Sequence, residues 1–224
     1  LIKIWLLLEL YFRVMNYFIP LEAEGVYHIF NHANGWDDFY YDANNCAYFL
    51  KKLRFHLWPV IDIYAYNLLP NHFHLIVRVK SETEIIVGSR QWCRFRRIPF
   101  KKLSPNQQFS NFFNGYTKAM NKVYRRQGSL FKKNYKRVLI EDDDHLRHAI
   151  AYVHTNAEKH NLIQDFRNWE FSSYPKIICD KPTYLLRGEV ISLYGGFNNF
   201  KIYHKNFLYN RNVATFKYDN FTGW

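Results

Sequence analysis

Two histidines separated by a single residue, His72-Phe73-His74, are the first groups in this chain whose spacing suggests chemistry. The segment from His72 to Val79 is apolar and β-branched and reads as a strand. Side chains alternate along a strand, so both imidazoles share one face while Phe73 and Leu75 point into a core. Two imidazoles on one face are natural ligands for a divalent ion. Taken alone, the pair reads more readily as polar residues on the solvated side of a strand.

A second set recurs every four residues: His148, Tyr152, Asn156 and His160. On a helix these share a face. Leu146, Ile150, Val153 and Ala157 form a neighbouring apolar stripe that would pack on a sheet. A tyrosine hydroxyl can act as a nucleophile once it is activated. Asn156, one turn on, can place an amide oxygen beside that hydroxyl. By spacing alone, Tyr152 reads more readily as a residue at the core's edge with its hydroxyl in water.

The elements that must position these groups follow from periodicity and turn signals. Tyr27 to His32 reads as a strand, followed by the turn signal Asn34-Gly35. Asn44 to Leu57 has helical spacing and stops before Pro59. Val60 to Leu69 and His72 to Val79 read as strands, and their short Pro70-Asn71 connection predicts an antiparallel pair. Ser81 to Ser104 is ambiguous between a short helix and a loop. Asn106 to Arg126 reads as a helix closed by Gly128. Phe131 to Ile140 reads as a strand with its lysines outward, and Asp142-Asp143-Asp144 opens a helix reaching about His160. The residues from Asp165 onward carry mixed signals. This order predicts an α+β fold, an antiparallel sheet with helices packed mainly on one face.

The chain has 224 residues, 48% apolar and 22% charged, enough for one well-buried domain or one domain with an extension. The 31 Lys and Arg against 19 Asp and Glu leave a formal charge of +12. Between Arg90 and Arg137 there are fourteen basic residues and no acidic one. Such a stretch attracts a polyanion, nucleic acid first and an anionic membrane surface second. Its expected contacts are Arg94, Arg96, Arg97, Lys118, Lys122, Arg125, Arg126, Lys132 and Lys133. Aromatics such as Trp92 could stack exposed bases. Cys46, Cys93 and Cys179 are far apart, which argues against a disulfide framework or a cysteine zinc site and fits a reducing cytoplasm. Leu1 to Ile19 is apolar but interrupted by charges, too short to span a bilayer, and Met15 is a candidate native start.

Several segments in order resemble a known family: YHIFNHA, AYNLLPNHFHLIV, NGYTKAMNKVYRRQGSLF, IAYVHTNAEKH and WEFSSY. Together they are similar to the HUH single-tyrosine transposases, in the branch called REP-associated tyrosine transposases, over about Tyr27 to Tyr174. The resemblance implies a ferredoxin-like HUH core over 21–175, with extensions at 1–20 and 176–224. It implies that His72 and His74 hold Mg²⁺ or Mn²⁺, and that Tyr152 is the nucleophile. It implies that Asn156 completes the metal shell or orients the tyrosine. It also implies nicking and rejoining of single-stranded or hairpin DNA through a 5′-phosphotyrosine, without ATP. Tyr116, in the family segment YTKAMN, competes with Tyr152 and is read as packing or DNA contact. The family often has Arg where His32 stands, which removes one expected phosphate contact. The partner is then DNA and not membrane, the location cytoplasmic, and the state a monomer, with a homodimer as the alternative. The rival functions are a hairpin DNA- or RNA-binding protein that has lost catalysis, and a metal-dependent phosphodiesterase using water.

Overall fold

The computed structural model describes residues 19–35 and 37–209. The apolar stretch before Ile19, with Met15, and the residues after Tyr209 lie outside them. Four strands are present: β1 (Val26–His32), β2 (Ile61–Leu69), β3 (His72–Val79) and β4 (Lys136–Ile140). They form one antiparallel sheet in the order β2-β3-β1-β4. The α+β class and the antiparallel sheet are as the sequence predicts.

Pairing fixes which side chains share a face. His72 lies opposite His32 and His74 opposite Phe30, while Phe30 lies opposite Lys136 on the other side. One face therefore carries His28, Phe30, His32, His72, His74 and Lys136. The other carries Tyr27, Ile29, Phe73 and Leu75. On β2 the register shifts between Ile63 and Ala65, leaving Tyr64 as an extra residue. A one-residue bulge moves the following side chains to the opposite face. Ile63 thus sits with Val77 on the Phe73 face, and Asn67 sits beside His74 on the imidazole face.

Helices cover both faces, where the element order predicts mainly one, because the helix after β4 packs on β2 and β3 opposite the others. α1 (Ala43–Leu57) and α3 (Pro105–Tyr124) pack on the Phe73 face, where Phe49 lies 5.3 Å from Phe73 and 4.9 Å from Phe112, ring centre to ring centre. The ambiguous segment after Ser81 is a helix, α2 (Glu82–Arg96), opened by a capping box between Ser81 and Glu84. Its start signal, Ser-x-x-Glu, stands in the sequence. Arg97 closes it in the left-handed conformation. The imidazole face is covered by α4 (Asp143–Lys159), whose N-cap Asp142 accepts from the His145 amide at 2.7 Å. Leu146, Ile150, Val153 and Ala157 are all buried, as the apolar stripe predicts.

β4 is shorter than the run Phe131–Ile140. Asn134 takes a positive φ of 63°, which interrupts the extended chain, and Phe131 makes only an isolated bridge to Ala33. Lys132 and Lys133 therefore lie in a loop before the strand. A 3₁₀ turn (Phe166–Asn168) leads to α5 (Tyr174–Ile178), α6 (Arg187–Leu193) and α7 (Phe197–Tyr209). Among the described residues no helix is long and apolar enough to cross a membrane.

Candidate active site

β3 and β1 bring five imidazoles to one end of the sheet together with the last turn of α4. His72 and His74 are buried, and their rings stand 5.2 Å apart. His32 stacks on His72 at 4.7 Å, and His160 meets His72 edge-on at 5.0 Å. His28 Nε2 and His74 Nδ1 share a hydrogen bond of 2.9 Å. Burial lowers the pKa of His28 and His72 to about 3 and that of His32 to about 4, and pushes His74 well below the usual range. These rings are neutral at pH 7, which leaves each with one lone pair.

The lone pair of His72 has a defined direction. Its Nδ1–H donates to Asn71 Oδ1 at 2.7 Å, so Nε2 is the acceptor nitrogen. Asn156 Oδ1 lies 3.4 Å from that Nε2. The Asn156 side chain thus meets His72 Nε2 in a buried position. Such a pair suits a shared cation. Among the described residues no three His, Cys, Asp or Glu side chains form a metal-binding group. Beside His72 lies the amide oxygen of Asn156.

Tyr152 stands over this cluster with only 9% of its surface exposed. Its ring is 5.7 Å from His74 and 6.1 Å from His28, both edge-on. Lys159 Nζ lies 5.1 Å from the ring centre, so a positive charge adjoins the phenol. His148, of the same four-residue series, instead turns to Phe207 of α7 at 4.6 Å. Tyr116 is on the opposite side of the sheet, fully buried, and its hydroxyl donates to Phe39 O at 2.7 Å. Its packing reading agrees with that environment.

The rotation of α4 is held from behind. Asn67 Nδ2 donates to Val153 O at 2.7 Å, so the β2 bulge has a direct effect on the helix. On the far side His204 of α7 donates Nδ1–H to Phe200 O at 2.8 Å. Its Nε2 must then accept from His154 Nδ1–H, at 2.8 Å. His154 Nε2 in turn accepts from Ser173 Oγ at 2.8 Å, and Ser173 Oγ accepts from the Tyr66 amide at 2.8 Å. Every hydrogen in this buried chain runs one way.

The basic residues divide among places. Lys132 N donates to His32 O at 2.8 Å, which sets Lys132 and Lys136 beside the imidazole end. Lys133 is exposed in the same loop, and Lys118, Lys122 and Arg125 are exposed on α3. Arg126 pairs with Asp37 and donates to Asn121 Oδ1 at 2.8 Å, which reduces its free charge. Arg94, Arg96 and Arg97 gather at the end of α2, away from the imidazoles. His28 and Asn71 are site neighbours that the sequence motifs do not single out, whereas His160 comes from the four-residue series. His28 and His32 carry the same period-two signal on β1 as the central pair on β3, but only strand pairing joins the two.

A solved structure of a REP-associated tyrosine transposase bound to a REP hairpin matches with a TM-score of 0.53 and 15% identity, over 74% of this chain and 87% of that one. A Haemophilus influenzae protein carrying the name REP-associated tyrosine transposase is 24% identical over 110 residues. The chain resembles the REP-associated tyrosine transposases. The structural likeness to the REP-associated transposase carries the fold, and the sequence match covers 49% of this chain and 57% of the relative, so the chain spans just over half of it. No family model matches.

Proposed function

We propose that this chain is a metal-dependent single-stranded DNA transesterase, nicking and rejoining DNA through a 5′-phosphotyrosine on Tyr152. The observation that carries the reading is the position of Tyr152 directly over His74 and His28, with Asn156 Oδ1 3.4 Å from His72 Nε2 alongside. The likeness to a transposase solved with a REP hairpin supports hairpin or single-stranded DNA as partner. The many exposed cations suit a phosphate backbone, chiefly Lys118, Lys122, Arg125, Lys132 and Lys133.

His72, His74 and Asn156 would hold the ion. A mixed nitrogen and oxygen set suits Mn²⁺ better than Mg²⁺, which prefers oxygen alone. Bound there, a divalent ion supplies Lewis-acid polarisation of a phosphate oxygen. Asn71 fixes the tautomer of His72. His28 does the same for His74 when it accepts the Nδ1 proton, which leaves His74 Nε2 as a donor to metal. In the reaction the Tyr152 oxygen forms a bond to phosphorus as the bond from phosphorus to the 3′ oxygen breaks. The tyrosine gives up its proton and the departing 3′ oxygen takes one up. Lys159 favours the negative charge that builds on the phenol oxygen. The phosphodiester energy stays in the new bond, so the reverse attack by a 3′-hydroxyl rejoins ends without ATP.

The test is a denaturing gel of labelled hairpin DNA from the gene's flanks, incubated with protein and Mn²⁺. A protein-linked band that a chelator removes is expected. Cleaved DNA with no linked protein would move the reading to water attack. His28→Ala is expected to weaken Mn²⁺ binding by about 10- to 100-fold, the effect of losing an outer partner of a ligand. Isothermal titration with Mn²⁺ reads this directly, and unchanged affinity would remove His28 from the site.

A further inference from the structure

On the far side of the sheet from the imidazoles, α1, α2 and α5 enclose an open groove of about 640 Å³. Phe55, Trp58, Phe95 and Tyr184 line it with Lys51, Arg54 and Lys176, and no acidic residue is among its walls. Phe95 forms the lip and is 72% exposed. Its placement follows from Gly88. A Cβ there would meet Pro59 O at 2.6 Å, so only glycine lets α2 approach the end of α1 this closely. The approach allows Trp92 Nε1 to donate to Phe55 O at 3.3 Å and sets Phe95 beside Phe55. Guanidinium groups adjoin the rings: Arg54 is 5.5 Å from Tyr184, and Arg96 is 5.6 Å from Phe55.

A large exposed aromatic costs solubility and marks a binding surface when it lies in a patch. Here the patch is both aromatic and cationic, so its ligand is flat, apolar on its faces and anionic at its edge. Unpaired nucleotides have those properties. A bilayer would meet a flat or convex surface, whereas this one is concave. A second, smaller depression of about 440 Å³ shares Arg54, Trp58 and Tyr184 and reaches Ile61, which pairs with Val79. Val79 is at the opposite end of β3 from His72, roughly 20 Å away by strand rise.

We infer that this groove is a second nucleic-acid site, in which bases of a single-stranded segment stack on Phe95 and Tyr184 while Lys51, Arg54 and Lys176 hold phosphates. It rests on the transesterase reading only in taking single-stranded DNA as the natural ligand. The test uses the full chain, with chelator present so that no chemistry occurs. Fluorescence anisotropy is read with a short oligothymidylate and with an abasic oligomer of the same length. Phe95→Ala lowers affinity for the oligothymidylate roughly tenfold, the loss of one stacked base. It changes abasic binding less than about twofold, because phosphate contacts remain. Arg54→Ala weakens both. Phe95→Ala that leaves oligothymidylate affinity unchanged overturns the proposal. So does the absence of any oligothymidylate binding by the unaltered chain. Phosphatidylserine vesicle binding that Phe95→Ala abolishes, with DNA affinity unchanged, would assign the patch to membranes instead. Failure of the covalent band with a positive result here would sink the tyrosine chemistry and leave the groove standing, and the converse pair of results would do the reverse.

Discussion

Tyr152→Phe is expected to remove the protein-linked DNA band entirely, a loss of at least about 10⁴-fold in rate, as for other enzymes stripped of their nucleophile. The substitution deletes one oxygen and retains the ring that packs edge-on against His74 and His28. Stability should shift by no more than about 1 kcal/mol, and hairpin affinity should hold. Tyr116→Phe is the opposite case. It removes the buried hydrogen bond to Phe39 O at a cost of about 1 kcal/mol in stability and leaves the band intact. Single-turnover gels and thermal melts of the two variants separate chemistry from folding. DNA cleavage that survives in Tyr152→Phe would assign the attack to water or to another residue.

The second large effect lies in the buried relay of Phe200 O, His204, His154 and Ser173. His154→Ala leaves a cavity and strips partners from His204 Nε2 and Ser173 Oγ. A cost of about 3 kcal/mol is expected from the cavity and the unsatisfied groups together. His204→Ala should cost about as much, and the double variant clearly less than the sum, because both break one chain. The relay also makes stability acid-sensitive. Burial lowers the His204 pKa to about 3 and pushes His154 well below its usual value. Above pH 6.5 both rings are neutral in either state and contribute no pH dependence. As pH falls below 6.5 the unfolded chain takes up protons that the folded chain refuses, so stability declines toward pH 3. Each ring adds a slope of about 1.4 kcal/mol per pH unit over that window. Urea melts at stepped pH should show a shallower decline in the double variant, and equal slopes would mean that the rings protonate without unfolding.

Much of this arrangement was legible in the sequence, and its limits have physical causes. The shared face of His72 and His74 follows from strand alternation, and the shared face of Tyr152, Asn156 and His160 from the helical repeat. Neither periodicity says that one face lies over the other. His28 could be placed beside His74 only through the pairing of β1 with β3, a long-range fact. The bulge at Tyr64 escapes alternation because it breaks the period that alternation relies on. His154 and His204 are fifty residues apart, and no local pattern pairs them. The α2 segment reads ambiguously in sequence because its basic and exposed aromatic residues obscure the apolar stripe, although Ser81 and Glu84 mark its start. His148 departs from its series because α7 gives it an aromatic partner in Phe207.

The tip of the β2–β3 hairpin has a fixed length for a reason beyond the turn itself. Pro70 O accepts from the Phe39 amide, Asn71 O accepts from the Ala33 amide, and the Asn71 side chain holds His72. Most hairpin tips tolerate added residues because nothing else depends on them. Here one extra residue would break three contacts of Pro70 and Asn71 at once. Chain length at this turn is therefore set by the imidazole it steadies, and homologous chains of this design should vary in length elsewhere, as in the loop around Gly35 or before β4.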